Sequence, residues 1–361
     1  MDSPHRQQSA QIRIPVAVLG ATGAVGQTFV RLLANHPWFE LRALAASERS
    51  AGKPYLEATR WLGDALPSEI AAMPVVPCDP SRVDAPIVFS ALDASVAGEA
   101  ECAFATAGRI VLSNARNYRM EPDVPLLLPE VNPQHLALLE RQRAARGWSG
   151  AIITNGNCAA IVVVMALAPL HQAFGVRRAF VTTMQAVSGA GYPGVPSLDI
   201  LGNIIPYIAL EEEKIEQETR KMLGTMGRNG VEPAPIAVSA QANRVPVEHG
   251  HTACITVELE RKASAEEALE TLAAWTGAED VRGLPSAPAS PLIISTAADR
   301  PQPRRDAYAG NGMSVVIGRV RSDPVLDLRL VASGHNTVRG AAGASILNAE
   351  LMVARGMVAG A

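Results

Sequence analysis

Aromatic residues make up only 4% of the 361 residues, so any core must be built from Ala, Val, Leu and Ile. Cysteine is almost as scarce. The four, Cys78, Cys102, Cys158 and Cys254, include no C-x-x-C pair, which argues against a zinc site or a disulfide framework. No metal is expected, and such sparse cysteine fits a reducing cytoplasm. Charge of one sign is also lacking. The formal net charge is −3 with Lys and Arg scattered, so nothing resembles the basic stripe that nucleic-acid binding needs. Long apolar runs are absent: none reaches the ~18–20 residues that cross a bilayer. The longest, Ala159 to Leu170, ends at a proline-containing turn and reads as a buried helix. The polar start, MDSPHRQQSAQIR, has no apolar segment of a secretory signal and reads as a disordered tail over residues 1–11.

What is present fits two domains, because 361 residues exceed one ordinary core. Ile12 to Leu19 is an Ile/Val-rich run, followed by a glycine turn and then Val25, Phe29, Leu32 and Leu33 at helical spacing. Phe39 to Ala46, Pro74 to Pro77, Pro86 to Leu92 and Ile110 to Ser113 read as further strands. Val96 to Ala107 and Pro133 to Arg146 read as helices. Alternation of this kind predicts an α/β, Rossmann-like doubly wound parallel sheet ending near Gly150. Beyond it, Arg178 to Val187, Ile236 to Ala240, Thr252 to Glu260, Ser314 to Val320 and Val325 to Ala332 are half-alternating runs. They predict an antiparallel or mixed sheet with its own helices, an α+β unit. Glu211 to Leu223 reads as a helix with exposed charges, and Asp280 to Pro303 as an irregular connection. Thr337 to Arg355 reads as a long Ala/Gly-rich helix returning to the first domain. The expected division is 1–150 with 337–361, and 151–336.

Gly20, Gly23 and Gly26 lie in the turn after the first strand, where glycine lets backbone approach a pyrophosphate and a helix N-terminus offers free N–H groups. The second strand does not end in the acidic residue that an NAD ribose calls for. It leads into Ser47-Glu48-Arg49-Ser50-Ala51-Gly52-Lys53, where hydroxyls, Arg49 and Lys53 suit a 2′-phosphate. NADP is therefore the expected cofactor.

Thr154-Asn155-Gly156-Asn157-Cys158-Ala159-Ala160 ends a predicted strand at Ala151 to Thr154 and opens an apolar helix. A cysteine there meets the helix dipole and free N–H groups, which favour a thiolate. With the Asn157 side chain, the same N–H groups are expected to hold an oxyanion. The partner base should be a histidine. His249 and His251 share a strand face, so periodicity does not choose between them, and His335 is a third candidate.

With these pieces assembled, the chain resembles the archaeal and fungal-type branch of the aspartate-semialdehyde dehydrogenase family, from Val16 to about Leu351. The resemblance is carried by GATGAVGQTFVRLL, ASERSAGKPY, VFSAL, SNARNYRM, DVPLLLPEVN, TNGNCAA, QAVSGAGYPGVPSLDI, EEEKIEQETRKML, RVPVEHGH and NTVRGAAGA. It implies Cys158 as nucleophile and His251 as acid–base group, with Asn157 and Gln185 beside them. It implies Arg244 for the substrate carboxylate, Arg119 for phosphate, and Glu211 and Lys214 for the amino group and phosphate. For the cofactor it implies Gly20, Thr22, Gly23, Ala24, Val25, Ser47, Arg49, Ser50, Lys53, Ser90, Ala91, Ser188, Gly189 and Asn336. The implied reaction is NADPH-dependent reductive dephosphorylation of aspartyl 4-phosphate, a step of lysine, threonine and methionine biosynthesis. The implied assembly is a homodimer or homotetramer through the second domain, with small-molecule substrates and neither membrane nor nucleic acid as partner. Malonyl- or succinyl-CoA reductases resemble the same branch and differ in taking a CoA thioester. A non-catalytic NADP sensor would need neither the cysteine at a strand–helix junction nor the paired Arg and His.

Overall fold

A computed structural model describes residues 13–358; the tail expected at 1–11 lies outside the described residues. Seven strands form the first sheet: β1 (Ile14–Leu19), β2 (Phe39–Ala46), β3 (Val75–Pro77), β4 (Ile87–Ser90), β5 (Ile110–Ser113), β6 (Leu126–Leu127) and β7 (Ala151–Asn155). Their order is β3-β2-β1-β4-β5-β7-β6, and every pair is parallel. The central strands are buried along nearly their whole length because helices cover both faces, which is why they read as continuous apolar runs. The doubly wound α/β expectation holds. One boundary moves: β7, expected to open the second domain after Gly150, is hydrogen-bonded between β5 and β6.

The second sheet takes β8 (Val176–Gln185), β11 (Ala237–Arg244), β12 (His251–Leu259), β13 (Leu292–Ser295), β14 (Val315–Ser322) and β15 (Leu328–Gly334), in the order β11-β8-β12-β15-β14-β13. A small hairpin, β9 (Thr225–Gly227) with β10 (Gly230–Glu232), stands apart. The sheet is mixed: β11/β8 and β13/β14 are parallel, and the other pairs are antiparallel. β13 corrects the irregular connection expected over Asp280 to Pro303. Pro, Ala and Ser around it hide the short run LIIS, which pairs with β14.

The helix Cys158–Phe174 joins the two sheets and is apolar on all sides, packing on β8, β12, β14 and β15. It runs through Pro169, where a stop was expected. Burial by the surrounding strands and helices outweighs one missing backbone N–H. The C-terminal segment does pack on β4, β5 and β7, but it begins with a π-helical turn, Val338–Ala342, before the helix Gly343–Ala354. That turn brings Arg339 onto Glu130, through two hydrogen bonds of 2.6 and 2.8 Å, and Gly340 onto Cys158. A third correction concerns the helix Glu211–Met222. Its charges are not all exposed, since Glu211, Glu218 and Lys221 are buried, and the helix packs on the helix Cys158–Phe174.

Candidate active site

Strand direction brings the ends together. In the first sheet, β1, β4, β5 and β7 all finish on one edge, which carries Gly20, Ala91, Asn114 and Cys158. In the second sheet β8 and β11 finish, and antiparallel β12 begins, at a common edge, so Gln185 pairs with Arg244 and His251 pairs with Gly334. Asn336 follows two residues later. Between the two edges lies a cleft of about 490 Å³ lined by Val25, Arg116, Arg119, Asn157, Cys158, Gln185, Ser188, Gly189, Glu211, Lys214, Arg244 and Asn336.

Cys158 Sγ lies 3.1 Å from His251 Nε2. The Ala186 N–H donates to His251 Nδ1 at 3.1 Å, so the neutral ring carries its proton on Nε2, facing the sulfur. The structure thus separates the two histidines that alternation left equivalent. Gly250, at φ +98°, turns the chain between them, and His249 instead stacks on His335. Burial pushes the Cys158 thiol up to about 12; Glu211 adds to this, while Arg119 and Arg244 oppose it. Burial likewise pushes His251 down to about 3. The resting pair is therefore thiol and neutral imidazole, and the helix N-terminus alone does not produce the thiolate that its position led us to expect.

Asn157 also departs from expectation. Its Oδ1 accepts from the Ala159 and Ala160 N–H groups at 2.9 and 3.0 Å, so those donors cap the helix rather than wait for an oxyanion. Its Nδ2 donates to Glu211 Oε1 at 2.8 Å, and Lys214 Nζ donates to Glu211 Oε2 at 3.1 Å. Arg244 donates to the Ala186 carbonyl at 2.8 Å. Gly340 is required here, because a Cβ would stand 2.6 Å from that of Cys158.

Glu218 was not foreseen. It is buried, accepts from Arg119 Nη1 at 2.9 Å, and accepts from the Asn157 N–H at 2.5 Å. A signal existed: Glu211, Lys214, Glu218 and Lys221 recur at spacings of three, four and three, which puts them on one helix face. Lys221 Nζ donates to the carbonyls of Arg119, Glu121 and Val124, fixing the segment that carries Arg119.

The glycine turn fits a dinucleotide. Gly20 has φ +70°, and a Cβ there would come within 2.6 Å of the Ala91 carbonyl oxygen. A Cβ on Gly26 would come within 2.1 Å of the Gly20 carbonyl oxygen. Gly23 caps the helix Ala24–Leu33 without a side chain, which leaves first-turn N–H groups such as that of Val25 for an anion. Thr22 and Ala24 lie in or beside the same turn. Ser47, Arg49, Ser50 and Lys53 follow β2 on an exposed to half-buried turn away from the cleft lining. Ser90 is buried beneath the cleft, its carbonyl accepting from Asn114. Asn336 donates to Ser188 Oγ at 2.8 Å and accepts from the Gly250 N–H at 2.9 Å.

Among the described residues no helix is long and apolar enough to cross a membrane, and no cluster of His, Cys, Asp or Glu could hold a metal ion.

The semialdehyde dehydrogenase NAD-binding domain model matches residues 15–139, and the semialdehyde dehydrogenase dimerisation domain model matches residues 167–339. The aspartate-semialdehyde dehydrogenase of Archaeoglobus fulgidus is 53% identical over 343 residues, covering 95% of this chain and 98% of that protein. The Schizosaccharomyces pombe enzyme is 49% identical over 352 residues, covering 95% and 99%. The crystal structure of the Candida albicans enzyme with NADP superposes with a TM-score of 0.88 at 43% identity, over 96% of this chain and 100% of that one. Aspartate semialdehyde dehydrogenase II of Vibrio cholerae, complexed with ASA, gives 0.75 at 29% identity over 95% and 98%. The two domain models, these relatives and the cleft agree: the chain belongs to the aspartate-semialdehyde dehydrogenase family of oxidoreductases.

Proposed function

We propose that this protein carries out the NADPH-dependent reductive dephosphorylation of L-aspartyl 4-phosphate to L-aspartate 4-semialdehyde, through a thioester on Cys158. The observation that carries the reading is Cys158 Sγ at 3.1 Å from His251 Nε2, in a cleft that also presents Arg119, Lys214 and Arg244. An aspartyl phosphate offers an α-carboxylate and a phosphate, and such cations are their natural receptors. Arg244 takes the carboxylate, Glu211 the amino group, and Arg119 with Lys214 the phosphate. Gln185 orients the acyl group beside the sulfur.

Arg119 and Arg244 favour the thiolate, and the thiol proton is given up to solvent. Sγ attacks the acyl carbon, the bond to phosphate oxygen breaks, and phosphate leaves with that electron pair. NADPH, when bound, supplies the hydride that reduces the thioester. Gly20, Thr22, Gly23, Ala24 and Val25 would hold its pyrophosphate, Ser47, Arg49, Ser50 and Lys53 its 2′-phosphate, and Ala91, Ser188, Gly189 and Asn336 its remaining groups. The tetrahedral oxyanion then re-forms a carbonyl, the carbon–sulfur bond breaks, and the thiolate returns beside the Nε2–H of His251. The hydrogen bond from Ala186 keeps that proton on Nε2, so His251 serves as a fixed donor to sulfur and to the tetrahedral oxygen. Dividing the exchange into acyl transfer and reduction is what the covalent cysteine contributes.

Supply of the semialdehyde to lysine, threonine and methionine synthesis, a cytoplasmic location, and a homodimer or homotetramer formed through the second sheet belong to the same reading. So does the division into a cofactor unit, made of the first sheet and the C-terminal helix, and a catalytic unit. The test is NADPH formation from aspartate semialdehyde in phosphate buffer. Phosphate-dependent turnover lost in Cys158→Ala supports the reading; no turnover by folded wild type, with turnover on a malonyl- or succinyl-CoA couple, replaces the substrate.

A further inference from the structure

Two histidines that the sequence offered beside His251 take no part in this chemistry. His249 and His335 stack with ring centroids 5.0 Å apart, and Tyr308 meets His335 edge-on at 4.7 Å. This aromatic wall closes one side of a second cavity of about 340 Å³. Arg31 of the helix Ala24–Leu33, Trp61 and Tyr192 also line it. In a chain with 4% aromatic residues, three aromatic rings and two imidazoles on one small cavity are a strong local concentration. Tyr308 is 58% exposed, so its ring surface is open to a flat partner, while the Tyr192 ring carries the Arg60 guanidinium at 5.2 Å.

Ser188 Oγ accepts from Asn336 and shares a hydrogen bond of 3.0 Å with His249 Nδ1. His335 Nδ1 accepts from the N–H groups of Thr337 and Val338, and its Nε2–H is buried behind the wall without a partner among the described residues. Arg31 disfavours protonation of both imidazoles, and among the described residues it has no carboxylate partner. The acidic group on this wall, Glu248, is exposed and lies 3.7 Å from His249 Nε2.

We propose that this cavity is a second ligand subsite, for a planar aromatic ring bearing an anionic group, and that its occupancy is felt at the cofactor end of the cleft. The ring packs on the accessible surfaces of His249 and Tyr308, which His335 backs from beneath, and the anion meets Arg31. Ser188, Gly191 and Thr337 line both cavities, and the relay His249–Ser188–Asn336–Gly250 N–H runs from one to the other. The second half of the proposal rests on the reading of Ser188 and Asn336 as cofactor contacts.

The probe is 2-naphthoate, titrated calorimetrically into the full chain without cofactor, beside the neutral isostere 2-acetylnaphthalene. One site per chain is expected. Arg31→Ala should weaken naphthoate at least about tenfold, the effect of losing one charge-assisted contact, and the neutral isostere should bind as weakly. No binding, or binding unchanged in Arg31→Ala and displaced by aspartate semialdehyde, overturns the subsite. Coupling is read separately: bound naphthoate shifts the KM for NADP in wild type, and His249→Phe, which keeps the stack and loses the relay, abolishes the shift. An unchanged KM in wild type overturns the coupling. The calorimetric arm needs no turnover, so a wrong substrate in the proposed reaction leaves it intact.

Discussion

Glu218 offers the sharpest test of how the cleft handles charge. Its carboxylate holds Arg119 on one oxygen and the Asn157 N–H on the other, and Arg119 is also tied to the Asn114 carbonyl at 2.7 Å. Glu218→Gln keeps an acceptor for the Asn157 N–H but removes the negative charge behind Arg119. A phosphate on the cleft side of the guanidinium would sit ~7 Å from that charge. At an effective dielectric of ~20–40, the repulsion so removed is about 1–2 kcal/mol. The KM for phosphate in the semialdehyde-oxidising direction should therefore fall about 5- to 30-fold. Stability should fall too, by about 2–3 kcal/mol. This is less than a fully buried pair loses, because Arg119 opens onto the cleft and keeps Asn114. Initial rates of NADPH formation against phosphate concentration, with urea unfolding alongside, measure both effects. An unchanged or raised KM in a variant with native circular dichroism would refute the reasoning.

The thiol of Cys158 sits near 12, so peptide-resolved alkylation by iodoacetamide should accelerate from pH 6 to 9 without levelling; a plateau below pH 7 would show a thiolate already formed. Gly340→Ala would place a Cβ 2.6 Å from that of Cys158, and a shift of ~1 Å at the proposed nucleophile should cost about 100-fold in kcat, with wild-type kcat counting against the packing argument. His135, His251 and His335 are held by burial at about 4, 3 and 3, below the ordinary 6.5. The unfolded chain then binds more protons than the native one as pH drops. Their contribution is full above pH 6.5 and is lost as pH falls towards 4 and 3. Urea midpoints from pH 7.5 to 4.5 should decline accordingly, and a flat profile would contradict the burial of these rings.

Much of the first sheet was legible because strands buried on both faces appear as short apolar runs; β2 and β5 were read with their observed limits. The junction at Cys158 was legible because polar Asn and Gly interrupt an apolar run where strand meets helix. What failed has tertiary causes. β7 is inserted between β5 and β6, an order that the chain sequence does not reveal, so the boundary fell one strand early. β13 is four residues long inside a Pro-rich stretch, below the length at which pattern outweighs composition. The helix Glu211–Met222 looked solvated because its charge content is that of a surface helix. Only its packing in the fold shows that Glu218 and Lys221 are spent on internal partners. Helix capping by Asn157 was equally invisible: Asn suits either a cap or an oxyanion, and only the distances decide.

The paired charges of the cleft follow from what the proposed reaction does to charge. Arg116, Arg119, Lys214 and Arg244 line it, with Glu211 and Glu218 behind two of them. An aspartyl phosphate brings carboxylate and phosphate together with one ammonium, and so meets the excess of cations. Once acyl transfer releases phosphate, the bound thioester keeps only carboxylate and ammonium, and Arg119 and Lys214 lose their anion. Each already has a carboxylate in contact, Glu218 at 2.9 Å and Glu211 at 3.1 Å, so neither cation is left uncompensated in low dielectric. Phosphate departure thus becomes an exchange of ion-pair partners rather than the exposure of bare charge. Because Glu218 also holds the Asn157 N–H, that exchange is felt directly at the turn that presents Cys158.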